Sequence, residues 1–304
     1  MGLGKRLRHD LLRLEAMADP FTGIRLKLSR ALDEFKALDK EIASFINTKP
    51  HPYRPSVNFN VTTRVLTLRV HIEKAPNPIW GIRIGEVIHN LRSALDHAVW
   101  ELVVRNKGVA PKIPSKNQFP IFQTEIGHRS FDTTGTQLML AGVSSGAIDL
   151  IRTEQPFCTG EKLECPLWHL QELSNADKHR TIHVTGTMVS EYKFTMPPLL
   201  EPIRDIREFA RRPTGPIQQN AILWEGRVIG GKLSYPWAQG DVTGHLAQDI
   251  AFDKATPSVG GWIAMATLAN ILSRVDRVLS RIATEIFSIS EPVAGPPYRP
   301  DLGD

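Results

Sequence analysis

The sequence predicts an α+β protein: an antiparallel bundle of three to four long helices with antiparallel β-structure inserted between them. Three observations lead there. Long segments carry apolar residues at three- and four-residue steps, the repeat of a helix with one buried face. Other segments alternate apolar and polar residues, the repeat of a strand. The order of the two kinds is helix, hairpin, helix, helix, strands, helix, which is not the regular alternation that builds a parallel sheet.

Residues 1–21 form an N-terminal segment that is basic and lacks the apolar run of a signal peptide. The first helix is expected over 22–47, where Leu28, Leu32, Phe35, Leu38, Ile42 and Phe45 form one stripe. Pro50, Pro52 and Pro55 end it. Val57, Phe59 and Val61 then alternate, as do Leu66, Leu68, Val70 and Ile72, so 57–72 reads as a β-hairpin turning near Thr62 and Thr63. Beyond the breaker KAPNP, the longest helix is expected over 82–105, with Gly108 as its stop.

Residues 109–143, including QFPIF at 118–122, read mostly as loop, followed by a short helix near 147–152. The next long helix is expected over 164–180, with Pro166 in its first turn, where the missing N–H costs nothing. Strands are expected within 181–253, at 181–194, 221–235 and 241–253, while the basic stretch IRDIREFARR at 203–212 reads as a solvated short helix. The last helix, 262–287, carries Leu268, Ile271, Leu272, Val275, Val278, Leu279, Ile282 and Ile286 in a coiled-coil-like seam, which makes a homodimer an expectation. The proline-rich stretch 291–304 is expected to be a disordered tail, leaving a single α+β domain over 22–290.

Of the 304 residues, 41% are hydrophobic and 23% charged, which excludes a mostly disordered or collagenous chain. Thirty-seven basic residues against 32 acidic ones give a net charge of +5, compatible with an anionic partner but far from a nucleic-acid-binding tail. The two cysteines, Cys158 and Cys165, are too few for a disulfide scaffold and lack zinc-knuckle spacing. With no apolar run long enough to span a bilayer, the expected location is the cytoplasm, away from membranes.

On the helix 82–105, Ile84, Val87, Leu91, Ala94, Leu95, Ala98 and Leu102 share one face. His89, Ser93, Asp96 and Trp100 line the other, with Glu86, Arg92 and His97 at the edges. An ordinary solvated face carries Lys, Glu and Gln. A stripe of His, Ser, Asp and Trp points instead to a covered site, because a tryptophan ring is costly to leave in water. On the helix 164–180, Trp168, Glu172, Asn175 and His179 share a line with His169 beside them, whereas Asp177 falls among Leu167, Leu170, Leu173 and Ser174. A carboxylate turned towards a core needs a partner. Arg180 is the local one, and Arg92 or His97 would be the partner across helices. His183 extends the cluster into the following strand. The alternative to a site here is a helix-terminal ion pair, with Lys178, His179 and Arg180 against the negative end of the dipole.

The runs HNLRSALDH at 89–97, FPIF at 119–122 and LWHLQELSNADKHR at 167–180 resemble a group of bacterial proteins with no assigned activity. More distantly, Arg92 to His97 is similar to the signature of HEPN domains, Arg followed after four to six residues by His. These are helical bundles that include metal-independent ribonucleases. The same spacing also occurs at Arg83 to His89 and at Arg64 to His71. The resemblance implies RNA as partner, often across a dimer, with His97 as general acid or base, Arg92 as phosphate clamp and Asp96 beside them. His89, Ser93, Trp100, Asn175, Asp177, His179 and Arg180 would support that site.

No cofactor is expected. The histidines could supply a metal site, but no His-Glu-x-x-His or Cys-x-x-Cys motif occurs, and His89 and His97 lie about 12 Å apart along the helix axis. No nucleophile elbow or phosphate-binding glycine loop is present either. The alternatives to a ribonuclease are a non-catalytic module that binds a ligand or partner, and a helical protein binding metal through His and Asp.

Overall fold

The structure, a computed structural model, describes residues 19–60, 62–127, 130–158, 164–195, 205–211, 217–229, 243–290 and 293, and of 187–195, 205–211 and 243–248 the backbone alone. Its elements are α1 (Thr22–Ile46), β1 (Tyr53–Asn60), β2 (Val65–Ile72), α2 (Ile79–Lys107), α3 (Thr134–Met139), α4 (Ser145–Thr153), α5 (Pro166–His179), β3 (Val184–Thr195), β4 (Asp205–Arg211), β5 (Ala221–Ile229), β6 (Thr243–Phe252) and α6 (Ala264–Phe287). Helices and antiparallel sheets together make the protein α+β, as the periodicities predict.

Contacts divide the chain into two units, with the division running through α1 and α2. One comprises Met1–Lys36, Arg83–Thr181 and Thr267–Asp304. Its core is built from the predicted apolar faces: Ile24, Leu28 and Phe35 of α1, Ile84, Leu91 and Leu95 of α2, and Leu167, Leu170 and Leu173 of α5 are at most 2% exposed. Gly108, at φ 68°, adopts the left-handed conformation and donates its N–H to Val104, ending α2 where the sequence predicts. The seam of α6 lies inside this unit, with Leu268, Ile271, Val275, Val278, Leu279 and Ile282 fully buried. It is core, so the observation that suggested a homodimer has an explanation within one chain.

The other unit comprises Ala37–Ile82 and Ile182–Ala266. It holds a four-stranded antiparallel sheet in the order β1-β2-β5-β4 and a two-stranded sheet of β3 and β6. The hairpin runs in unbroken register from Tyr53 opposite Ile72 to Asn60 opposite Val65. Leu66, Leu68 and Val70 turn one fully buried face of β2 inwards. Phe45 packs edge-on against Trp80 and Tyr53, with ring centroids 5.2 and 6.2 Å away. The Trp80 indole donates to Glu41 at 2.8 Å.

Several expectations need correction. The stretch 203–212 contains strand β4, not a helix, because pairing with β5 gives its backbone a sheet partner. The hairpin begins at Tyr53, four residues early, since the prolines at 52 and 55 are tolerated at an edge strand. Residues 134–139, expected to be loop, form α3, capped by the Thr133 hydroxyl accepting from the Thr136 N–H. Of the expected tail only Val293 is described, and it is buried at 3% exposure. Residues 1–18 and 230–242, which include parts of the expected N-terminal segment and strands, lie outside the described residues. Among the described residues no helix is long and apolar enough to cross a membrane.

Candidate functional site

The two predicted polar helices do meet. Asp177 of α5 lies against Gly85 of α2, and six residues earlier on α5 Gln171 bonds Arg92, seven residues later on α2. Numbers that fall on one helix as they rise on the other mean that α2 and α5 run antiparallel. Their polar residues form two groups along this contact.

The first group is a clamp. The Arg92 guanidinium donates to Gln171 Oε1 at 3.1 Å and to the Phe119 carbonyl at 2.5 Å, and it pairs with Asp96 Oδ1 at 3.1 Å. Asp96 in turn accepts the Phe119 N–H at 2.8 Å, so both main-chain polar atoms of one residue are held by side chains one turn apart on α2. Gln155 holds the same segment further on, donating to the Pro120 carbonyl at 2.9 Å and accepting the Phe122 N–H at 3.0 Å. A segment with no secondary structure of its own can be buried only when its backbone groups find such partners. Phe119 and Gln155 are both fully buried. Gln171 also donates to Asn175 at 3.3 Å, which carries the network to the exposed surface of α5. Burial pushes the Asp96 carboxyl above its ordinary value, opposed by Arg92, the Phe119 N–H and Lys178. Burial likewise pulls the Arg92 guanidinium down.

The second group is Gly85, His89 and Asp177. Asp177 is half-buried, and desolvation raises its carboxyl while the charge of His89 lowers it. His89 is exposed. A carboxylate beside an imidazole can fix its tautomer and stabilise its protonated form, the usual requirement for a histidine that shuttles protons.

The charge that acts on Asp177 is that of His89, whereas the sequence pointed to Arg92, His97 or Arg180. Arg92 is committed to the clamp. His97 is exposed and has Gly23 of α1 beside it, its Nδ1 3.5 Å from where a Cβ on that glycine would stand. From Gly85 to His97 is twelve residues, about 18 Å along α2, so Asp177 and His97 belong to different places. Ser93 and Trp100 are half-buried on the stripe, and His179 and Arg180 are exposed at the end of α5. His169, expected beside the polar line, is buried at 2% exposure, and burial lowers its imidazole against a hydrogen bond to the Glu164 backbone. His183 lies in the other unit.

Gly85, Gln171, Gln155 and Lys178 were not among the expected site residues. A glycine inside a helix that neither caps nor turns is a signal that could have marked Gly85. Gln155 carries none, because its partners are main-chain atoms more than thirty residues away. A cavity of about 300 Å³ at the opposite end of α5, lined among others by Cys165, Pro166, Ser273, Arg274 and Arg277, includes none of the stripe residues. Among the described residues no three of His, Cys, Asp and Glu converge as a metal's ligands would. Compared with known protein families, curated proteins and solved structures, the chain matches none.

Proposed function

We propose that the α2–α5 face is an acid–base site acting on the phosphodiester of single-stranded RNA, in the manner of the metal-independent HEPN ribonucleases, in the cytoplasm. The observation that carries this reading is the place of Asp177, a half-buried carboxylate on Gly85 that feels the charge of His89. His89 transfers the proton, Asp177 orients it, and exposed Lys178 stabilises the phosphate. The runs that resemble bacterial proteins with no assigned activity contain these residues, His89 in HNLRSALDH and Asp177 and Lys178 in NADKHR. The roles differ from those the Arg92–His97 signature implies, since Arg92 holds Phe119. HEPN sites usually form across a dimer, but here both members of the pair lie in one chain.

The test is cleavage of a fluorescent single-stranded RNA in the presence of EDTA. His89→Ala and Asp177→Asn are each expected to slow it by about a hundredfold or more, the usual worth of a general acid or base. His97→Ala is expected to cleave at the wild-type rate. Cleavage abolished by EDTA, or lost in His97→Ala but kept in His89→Ala, would falsify this assignment. A second reading, recognition of an anionic ligand without catalysis, is favoured by the commitment of Arg92 to the chain's own backbone. It predicts saturable RNA binding, weakened by Lys178→Ala, with no cleavage.

A further inference from the structure

We infer that Gly85 is a positioning residue: the absence of its Cβ makes the seat that holds the Asp177 carboxylate towards His89. Gly85 lies well inside α2, is buried, and adopts no left-handed conformation that would call for glycine. Apart from proline, glycine is the residue a helix interior disfavours most, so its presence needs a reason of space. A Cβ built there would stand 2.7 Å from Asp177 Cγ and 3.0 Å from Oδ2, and nearer still to Oδ1. All three atoms belong to one carboxylate. Asp177 has only one bond between its carboxyl and its Cβ, so it has no long flexible stem on which to give way. With a methyl group at position 85 the carboxylate must leave the seat.

His89 follows Gly85 by four residues and therefore shares its side of α2, one turn along. The seat thus sets the separation between carboxylate and imidazole. As an assignment of catalytic positioning this rests on the acid–base reading above. As a statement about where Asp177 is held, it stands on the contact alone. If Gly85 served only to let two helices approach, Gly85→Ala would disturb packing and leave His89 unchanged.

Two measurements on the full chain, neither needing RNA, decide it. The first is the thermal midpoint of the wild type, Gly85→Ala, Asp177→Ala and the double variant. Gly85→Ala is expected to lower the midpoint when Asp177 is present and to raise it in the Asp177→Ala background, where the methyl group fills vacated space and stiffens the unfolded chain. The second is the NMR signal of the His89 ring at one fixed pH. Asp177→Asn is expected to move it by removing the neighbouring carboxylate charge. Gly85→Ala should move it in the same direction, and should add nothing in the Asp177→Asn background. Glu86 on α2 and Lys178, His179 and Arg180 on α5 stay in place in every variant.

An effect of Gly85→Ala on stability with the same sign in both backgrounds, or a His89 ring signal equal to wild type in Gly85→Ala, overturns the seat. If Gly85→Ala alone does not fold, a folded double variant supports the inference, and a double variant that stays unfolded while Asp177→Ala folds refutes it. Should these results hold while no RNA is cleaved, the ribonuclease reading fails and the seat remains.

Discussion

Asp177 shows what half-burying a carboxylate costs when the opposing charge is that of an exposed imidazole. Desolvation raises its carboxyl above the ordinary value, and the charge of His89 offsets this in part. A carboxyl whose pKa is higher folded than unfolded favours the native state most at low pH. That contribution is lost as pH rises from the unfolded value, about 3.9, through the folded one. In Asp177→Asn the loss cannot occur. Thermal midpoints of both proteins between pH 4 and 7 should therefore diverge, the variant gaining on the wild type as pH rises; parallel curves would contradict it. Asp96 has the same direction of shift, but it is present in both proteins and drops out of the comparison.

At the scale of the element, α2 does two jobs with neighbouring turns. Gly85 receives Asp177, while Arg92 and Asp96 take hold of the segment at Phe119. Arg92 has only 11% of its side chain exposed and has three acceptors around it. Its removal leaves Gln171 and the Phe119 carbonyl without this donor, and Asp96 with the Phe119 N–H alone. Arg92→Ala should cost about 3 kcal/mol in urea denaturation, the lower range for one partner taken from a buried ion pair. Arg92→Lys should recover only part, because an ammonium cannot match the planar fork. An unchanged denaturation midpoint in Arg92→Ala would return this arginine to the candidates for phosphate binding.

The same helix shows how much could be read in advance. Its 3.6-residue period placed Ile84, Leu91, Leu95 and Leu102 in the core and the polar stripe opposite, because one-sided burial is written directly in spacing. The pairing of the stripe was not legible. Arg92 and Asp96 answer main-chain atoms of Phe119, and a backbone group leaves no trace in residue identity. The position of Asp177 on the inner side of α5 followed from helical geometry, but its partner depended on the register between two helices, which periodicity leaves open. Strand β4 failed for another reason: Asp205–Arg211 is short and charged, and only its pairing with β5 makes it a strand.

For the whole molecule, the charge of +5 is small, and several of the described arginines face carboxylates. Arg54 faces Glu73, Arg83 faces Glu34, Arg152 faces Asp132 and Glu125, and Arg274 and Arg281 share the buried Glu154. On the proposed reading an anionic polymer is held locally, by the exposed Lys178, His179 and Arg180 at the end of α5. On the proposed reading, binding of a single-stranded RNA is expected to weaken with salt at a log–log slope of about −2, as for two or three neutralised phosphates. A slope of −5 or steeper would mean that the surface at large is engaged.

The hold on residues 119–122 has a consequence for how this sequence can change over time. Arg92, Asp96 and Gln155 grip carbonyls and amides, which every amino acid except proline supplies in full. They prescribe the path of the chain and are indifferent to the letters written on it. What limits those letters is room: Phe119, Pro120 and Ile121 are packed inside, so a replacement must fit by volume. Drift in this stretch should run through residues of similar bulk, while the three side chains that grip it, acting at a distance in sequence, have no substitutes of equal reach.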